Sequence, residues 1–458
     1  MVIPLRLSVT KQEILDFLAV PVLFFFVYRI YFIPVLNTSM IMTAFMMPAL
    51  LVAFTNAIKK LKVKKWLFAT YALLISMIIL SIFYPALHRT NDYNLANLYI
   101  VMFIESLIGA LGFYYIFLKN KDLTFLCRCI VWITILQCLI ILSMIISPEV
   151  RDFIFHINFG HNEYSRVMFA GWGDAFRGMG LAAELTVSLA MVLSIGMMLS
   201  SYMVFVKRQS ILFYSFAWII NFTCILIVAR TGFVGIAFSL LILAYAYRNL
   251  FTLKRAISFV FGIFLFLGIG IICLSILSPQ TISLFYNTVV FFAFEMFISL
   301  YETGRFGTGS TDTLMTMYFP ISLRTLFTGD GYFAASPSCV TAFYMGTDAG
   351  YMRHILFYGI LPSLILYFSY ILAFWLMIKR VSCDKLFAII ILLLGGYFFI
   401  VHYKDNILAS AMITKPFFVL FVYIASNKKD FFRKLNTTHS INQSIFRPNT
   451  QYAIIEGR

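Results

Sequence analysis

Long apolar runs alternate with short polar segments along most of this chain. Each run is roughly 17–28 residues long, and a helix of that length, at 1.5 Å per residue, crosses the ~30 Å hydrocarbon core of a membrane. The pattern therefore predicts an all-α, polytopic integral membrane protein with about twelve transmembrane helices. The runs are 15–36, 38–57, 66–87, 97–118, 125–147, 180–206, 211–229, 231–247, 256–277, 352–379, 385–402 and 407–426.

The basic clusters set the predicted orientation of these helices. Cytoplasmic loops of membrane proteins carry an excess of Lys and Arg. In this chain the basic clusters all follow even-numbered runs, so both the N and the C terminus are predicted to be cytoplasmic. The clusters lie at 59–65, 119–121, 207–208, 248–255, 379–385 and 428–434.

The runs form one transmembrane helical domain, 1–426, with two long loops on the outer face. These are the third outer loop, 148–178, and the fifth outer loop, 278–350. Residues 282–301 within the fifth loop are very apolar and predict an interfacial helix or a re-entrant segment. A thirteenth span there would place the basic C-terminal residues outside, against the charge rule.

Composition supports lipid as the main solvent. The chain is 62% apolar, contains 51 Phe and has only 12% charged residues, too much apolar surface for a soluble domain. The net charge is 35 − 19 = +16, which fits basic loops facing anionic lipid. No basic patch interleaved with aromatic residues lies in a soluble domain, so nucleic acid is not an expected partner.

Both ends of the chain give simple expectations. The first apolar run has no small-residue cleavage site, so we expect no cleavable signal peptide. The tail, 427–458, is polar and predicted to be cytoplasmic. Its last four residues, Ile-Glu-Gly-Arg, spell a protease-tag sequence and are left out of the fold argument.

Several chemistries lack their sequence signals. The seven Cys are scattered and predict no structural disulfide. The six His show no metal-ligand spacing, so we predict no metal and no cofactor. Residues 304–309, Gly-Arg-Phe-Gly-Thr-Gly, resemble a nucleotide loop only superficially, because no Lys-Ser/Thr follows and no strand precedes them.

The outer face carries more arginines than the charge rule predicts. The planar guanidinium binds phosphate in bidentate fashion and keeps its proton, which suits a site for a diphosphate. Contact with lipid headgroups or pairing with nearby acidic residues is the alternative. The seven outer arginines are Arg151, Arg166, Arg177, Arg230, Arg305, Arg324 and Arg353.

Arg230 and Arg177 are the most informative of these. Arg230 lies between two spans with almost no loop, where an Arg costs about 2.5–3.5 kcal/mol and needs a ligand or a partner. Arg177 is followed by Gly178 and Gly180, which let backbone N–H groups approach an anion near a helix N-terminus. Glu184, inside the next span, either pairs with an Arg or acts on substrate.

Three residues are candidate catalytic groups for a hydroxyl substrate. Asp348 lies just before the tenth span, where it is either a helix cap or a general base. His161 in the third loop is the alternative base, and Glu184 is a further candidate.

Four local patterns follow one another along residues 177–362. They are Arg177-x-x-Gly180 with Glu184, Ala229-Arg230-Thr231-Gly232, Gly304-Arg305 with 327–333, and Asp348–Arg353 with Tyr358-Gly359-Ile360. In this order they resemble the patterns of the O-antigen polymerase family, within the wider polymerase and O-antigen ligase superfamily. Asp348 stands where the ligases typically have His, which favours the polymerase branch. Three positions depart from the family patterns, with Ala229, Thr303 and Ala349 in place of Ser, Ser and Asn.

The resemblance implies a GT-C-like, metal-independent glycosyltransferase at the periplasmic face of a bacterial inner membrane. Donor and acceptor would be oligosaccharide repeat units on undecaprenyl diphosphate, with membrane lipid and a chain-length regulator as further candidate partners. The residues implied to bind diphosphate are Arg177, Arg230, Arg305 and Arg353.

The resemblance also implies a general base, with Asp348 first and His161 or Glu184 second. Tyr332 and Tyr351 would stack on sugar rings. Nearby arginines predict a lowered pKa for Asp348, in which case it orients the acceptor hydroxyl rather than taking its proton.

Three other functions stay open. A ligase would transfer glycan to lipid A core by the same chemistry. A flippase or transporter should place charged residues near the midplane and show inverted repeats, and the sequence shows no repeat. A non-catalytic assembly partner is the third alternative.

Overall fold

The computed structural model describes residues 11–34, 36–59, 65–158, 180–184, 186–206, 210–247, 291–305, 307–336 and 339–427. The regular elements in the first half of the described chain are all helices. Its helices are α1 (Lys11–Tyr28), α2 (Thr38–Lys59), α3 (Lys65–His88), α4 (Asn94–Leu118), α5 (Leu123–Ile146), α6 (Pro148–Ile157), α7 (Val187–Val206), α8 (Ile211–Val228) and α9 (Gly232–Ala246).

The second half adds shorter elements before three apolar helices. These elements are α10 (Phe291–Thr303), α11 (Gly309–Thr316), α12 (Leu323–Thr328), β1 (Ala334–Ser336), β2 (Cys339–Phe343), α13 (Gly350–Tyr358), α14 (Ile360–Val381), α15 (Lys385–His402) and α16 (Thr414–Ser426).

Seven described helices are long and apolar enough to cross a membrane, which confirms a helical, multi-pass membrane protein. Eleven of the twelve predicted runs contain a helix, and the ninth, 256–277, lies outside the described residues. The count of twelve spans and the GT-C-like fold stay predictions.

Helix α7 lies at the centre of the bundle and packs against α5, α8 and α9. Glycines allow this close packing, as is usual between membrane helices. A Cβ at Gly196 would lie 2.3 Å from Thr134 Oγ1 on α5, and one at Gly235 would lie 2.2 Å from Ser194 Oγ.

Two predicted runs are shorter as helices than their apolar patterns. Helix α1 ends at Tyr28, because Arg29 adopts a left-handed backbone with φ 53°. The twelfth run, 407–426, becomes α-helical only at Thr414. Residues 403–413, which we call the irregular segment, contain one short 3₁₀ helix, Ile407–Ala409, and are mostly buried. Such backbone is tolerated at membrane depth only where protein groups satisfy it.

The described part of the fifth outer loop is folded. Helix α10 covers the second half of the predicted interfacial helix, 282–301, and the first half lies outside the described residues. Strands β1 and β2 pair as a two-stranded antiparallel sheet, a small addition to the all-α prediction. We call the end of the bundle that carries this loop the loop end.

Two glycine motifs hold the loop to the bundle. Gly329 has φ 65°, and a Cβ added there would lie 2.3 Å from the carbonyl oxygen of Phe357. Gly359 has φ 78°, and a Cβ added there would lie 2.4 Å from the carbonyl oxygen of Phe327. Only glycine combines this backbone with such close approach. The patterns at 327–333 and 358–360 therefore form one packing contact.

A second contact joins the loop to the turn before α4. The Asp92 carboxylate accepts hydrogen bonds from the backbone N–H groups of Phe333 (2.6 Å) and Ala334 (2.7 Å). The Thr90 hydroxyl donates to the carbonyl of Gly331 at 2.7 Å. The loop is thus fixed over the bundle on two sides.

Candidate functional site

Two carboxylates lie close together at the loop end, and we call Asp348 and Asp405 the outer carboxylate pair. Asp348 stands two residues before α13, and Asp405 lies three residues after α15. A Cβ at Gly350 would lie 2.5 Å from the carbonyl oxygen of His402, so these two turns are in direct contact. The sequence analysis did not single out Asp405.

Both carboxyls have raised pKa values. Burial raises the pKa of Asp348, and the positive charges of Arg353 and Lys404 oppose only part of that rise. Burial, followed by the charge of Asp348, raises the pKa of Asp405 to about 6. The prediction of a lowered pKa for Asp348 is therefore wrong, because desolvation outweighs the nearby cations. The ideal pKa of a general base lies near the working pH, and a raised pKa brings a carboxyl group closer to this value.

Arg353 points its guanidinium between two aromatic rings. The guanidinium carbon lies 3.6 Å from the ring centroid of Phe333 and 4.3 Å from that of Phe343. Within the described part of the chain its side chain forms no ion pair, and its buried Nε has no hydrogen-bond partner. Stacking orients the cation and leaves its N–H groups available to an anionic ligand.

Helix α11 and the residues after it cover this region. Lys404 Nζ donates a hydrogen bond to Ser310 Oγ at 3.0 Å. The Tyr318 hydroxyl donates to the carbonyl of Tyr403 at 2.6 Å, and the two rings stack with centroids 4.5 Å apart. The fifth loop thus shields the carboxylate pair from solvent, which is consistent with its raised pKa values.

A layer of aromatic side chains lies beneath the pair. His354 and His402 are buried, with a ring nitrogen of each 3.3 Å from the other, and Tyr99 Oη lies 3.2 Å from His354 Nε2. The predicted sugar-stacking residue Tyr351 belongs to this layer. Its hydroxyl donates to the Phe399 carbonyl at 2.9 Å and its ring packs edge-on against His402.

Tyr332, the other predicted sugar-stacking residue, is partly exposed. Its ring stacks on that of Tyr344 with centroids 5.1 Å apart. Tyr351 is partly exposed as well, so both rings stay candidates for sugar stacking.

Arg230 and Arg305 lie near a second polar region. Arg230 pairs with the carboxylate of Glu295 on α10, and Glu295 Oε1 also accepts the backbone N–H of Gly309 at 3.1 Å. A cavity of about 620 Å³ adjoins Glu295 and is lined by Arg305, by Asp312 and by hydroxyl-bearing residues. The salt bridge that sequence reasoning left open for Arg230 is present, and Glu295 is its partner.

Four charged side chains form a buried network inside the bundle, which we call the inner charge network. Arg29 Nε lies 2.9 Å from Glu105 Oε2, and Lys415 Nζ lies 3.1 Å from that same oxygen. Arg29 Nη1 donates to Glu184 Oε1 at 3.0 Å. Asn37 Nδ2 donates to Glu105 Oε1 at 2.9 Å.

Local backbone geometry places these charges. Residues 102–108 of α4 form a π-helical segment around Glu105, and such segments are frequent at functional positions. The left-handed Arg29 ends α1 beside it.

Glu184 links the inner charge network to the irregular segment 403–413. Besides Arg29, its carboxylate accepts a hydrogen bond from Ser410 Oγ and one from the Met412 backbone N–H at 3.1 Å. Of the two alternatives for Glu184, pairing with an Arg is therefore observed. The contacts describe a residue that positions the segment carrying Asp405.

His161 and Arg177 lie outside the described residues, so the structure does not place them. The structure adds five functional candidates that sequence reasoning missed. Three of them are charges inside apolar runs, which the insertion cost of such residues could have flagged. Glu295 is likewise a charge inside the apolar stretch 282–301, whereas Asp405, in a polar turn, carries no comparable signal. The five are Arg29, Glu105, Lys415, Glu295 and Asp405.

No protein-family model matches this chain, and no curated protein sequence matches it. Among the residues that the structure describes, no group of three His, Cys, Asp or Glu side chains is arranged to hold a metal ion. The described residues of the site offer two kinds of chemistry. The carboxylate pair can accept a proton, and the arginines can bind an anion.

Proposed function

We propose that this protein is a glycosyltransferase that polymerises oligosaccharide repeat units carried on undecaprenyl diphosphate. The reaction takes place at the loop end, on the periplasmic face of a bacterial inner membrane. The order of the motifs from 177 to 362 and their resemblance to O-antigen polymerases support this proposal. The chain is a membrane protein with a folded loop over one end of its helices, as such a reaction needs.

The observation that carries the proposal is the outer carboxylate pair beside Arg353. A hydroxyl acceptor needs a base, and a carboxylate whose pKa is raised by burial is a better base than an exposed one. A departing diphosphate needs positive charge. Arg353 supplies a guanidinium that is oriented by Phe333 and Phe343 and is not paired with either carboxylate.

The proposed step is a single displacement at the anomeric carbon of the donor sugar. The acceptor hydroxyl oxygen forms a bond to that carbon as its proton passes to Asp348 or Asp405. The bond from the anomeric carbon to the diphosphate oxygen breaks, and the diphosphate leaves with the electron pair. Arginine side chains stabilise the charge on the leaving group.

Reconstitution of the purified protein in lipid with a lipid-linked repeat unit tests this proposal. Wild type should produce a ladder of polymers. We expect Asp348→Asn and Asp405→Asn to lower the rate, the more important base by about 10²–10⁴-fold, the usual contribution of general base catalysis. The matched control is Glu302→Gln, an exposed carboxylate change on α10, which should leave the rate unchanged.

Other products would redirect the proposal. Transfer to lipid A core without a ladder would identify a ligase. A ladder that survives both Asp variants would remove the carboxylate pair from the mechanism.

A transporter of lipid-linked glycan is the second candidate, and the inner charge network favours it. Transport proteins place charged residues at membrane depth, and Glu105 and Lys415 are almost completely buried. Movement of a labelled lipid-linked glycan across vesicles, with no polymer formed, would support this candidate.

A further inference from the structure

The contacts of Glu295 resemble those of a bound anion. Its carboxylate pairs with the Arg230 guanidinium and accepts the backbone N–H of Gly309, the first residue of α11. A guanidinium and an N-terminal helix amide are the two groups that proteins most often direct at phosphate. Here a side chain of the protein itself occupies the position between them.

The surroundings allow the carboxylate to leave. The side chains of Arg230 and Glu295 are 16% and 27% exposed, so the pair is shielded but borders solvent. Glu295 also lines a cavity of about 620 Å³, whose other charged lining residues are Asp312 and Arg305. Arg305 is exposed and forms no ion pair among the described residues. A ligand that replaces the Glu295 carboxylate would therefore meet the Arg305 cation and the Asp312 carboxylate in this cavity.

We propose that Arg230 and the α11 amide form a diphosphate-binding site in which Glu295 is the resident anion that the ligand must displace. This inference rests on the proposed function and adds to it a control of substrate binding. The carboxylate keeps Arg230 oriented until a diphosphate, with more charge and more acceptor oxygens, replaces it. The ligand class is a diphosphate ester, either a polyprenyl diphosphate in the membrane or a free diphosphate.

Binding of inorganic pyrophosphate to the purified full chain in uncharged detergent tests the competition directly by isothermal titration calorimetry. We expect Glu295→Gln to bind pyrophosphate about tenfold or more tightly than wild type, because the competing charge is gone while the side chain keeps its size. Adding Arg230→Ala to Glu295→Gln should abolish the gain. Glu302→Gln is the matched control, since it removes the same charge seven residues further along α10 and should change affinity less than about twofold.

A second pair of variants tests the helix amide without touching Glu295 or Arg230. Gly309 is at the first position of α11, where proline is well accepted, and Thr308 before it is extended, as a residue preceding proline should be. A Cβ at Gly309 meets nothing within 4 Å. In the Glu295→Gln background, Gly309→Pro should weaken pyrophosphate binding severalfold relative to Gly309→Ala, which keeps the N–H.

Titrations in lipid bilayers with and without a polyprenyl diphosphate identify the source of the ligand. The same titrations are repeated in nanodiscs of phosphatidylcholine with and without undecaprenyl diphosphate. If the lipid is the natural ligand, its presence should weaken pyrophosphate binding to the Glu295→Gln variant. If affinity is unchanged, the free diphosphate is the ligand.

The results separate this inference from the function on which it rests. Tighter binding by Glu295→Gln, with no polymer formed by wild type, keeps the anion site and rejects the polymerase. A polymer ladder from wild type, with Glu295→Gln binding no more tightly than Glu302→Gln, rejects the resident anion alone. Absence of pyrophosphate binding in all variants, with normal thermal unfolding, also overturns the inference.

Discussion

The inner charge network and the outer carboxylate pair both place carboxylates near cationic side chains. The two regions differ in whether these opposite charges form ion pairs. In the network, Arg29 and Lys415 both lie within 3.1 Å of a Glu105 oxygen. At the outer carboxylate pair, Arg353 interacts with Asp348 and Asp405 electrostatically but forms no ion pair with either of them. Its guanidinium contacts phenylalanine rings instead.

This difference indicates different roles. Charges that satisfy one another hold helices in place, and removing one leaves its partner buried and unpaired. Charges that are oriented without being paired are ready for a ligand or a proton. The comparison therefore predicts that substitutions in the network affect stability, whereas substitutions in the outer pair affect the reaction.

The largest expected effect is the loss of stability in Glu105→Gln. Glu105 is the direct partner of both Arg29 and Lys415, so the variant leaves Lys415 buried without a charged contact at short range. Breaking a buried ion pair costs about 3–5 kcal/mol. Thermal unfolding in detergent should show a clearly lowered midpoint.

The double variant Glu105→Gln with Lys415→Met is the control for this prediction. It removes both charges together, so it should recover much of the lost stability. A double variant that unfolds as early as Glu105→Gln would show that packing around α4, rather than the ion pair, sets the stability there. A stable double variant that loses transport of lipid-linked glycan would favour the transporter.

Arg353→Lys should lower kcat/KM for polymerisation about tenfold without a comparable loss of stability. Lysine keeps the charge but loses the planar fork and most of the stacking between Phe333 and Phe343. Steady-state kinetics with a lipid-linked donor measures the change, and Arg324→Lys, an exposed arginine on α12, is the control. Equal effects of the two substitutions would reject a specific anion contact by Arg353.

The sequence pattern predicted the helices well because lipid imposes a simple length rule on apolar segments. The run 385–402 matches α15 at both ends. The part of the irregular segment that lies within the twelfth run, 407–413, was not predictable as irregular, because its residues are apolar enough to continue a helix. Their departure from helix depends on contacts with Glu184 and Ser106, which are distant in sequence.

The candidate site shows a similar limit. Asp348 stood out because it precedes an apolar run beside a family-like motif, whereas Asp405 occupies an ordinary polar turn. Only the close packing of Gly350 on His402 reveals that the two turns meet. The pKa of Asp348 was predicted in the wrong direction because its burial depends on the fold of the fifth loop, which local sequence does not specify.

The smallest expected effect is that of a substitution at Glu184, which belongs to the inner charge network and also acts electrostatically on Asp405 in the outer carboxylate pair. Burial and the charge of Asp348 raise the pKa of Asp405 to about 6, and the charge of Glu184 adds to this rise while Arg353 opposes it. Glu184→Gln removes a negative charge and should lower the pKa of Asp405. If ionised Asp405 is the base, acidification lowers activity by protonating it. In Glu184→Gln this fall in activity should then occur at a lower pH than in wild type, with a difference of less than about one pH unit.

The pH dependence of the polymerisation rate measures this shift. Gln retains an oxygen that can accept the Met412 N–H, so segment 403–413 should keep its position. Glu302→Gln should leave the profile unchanged. A profile that moves to higher pH, or that does not move while the rate falls, would mean that Glu184 acts on the backbone alone and that Asp405 is not the titrating base.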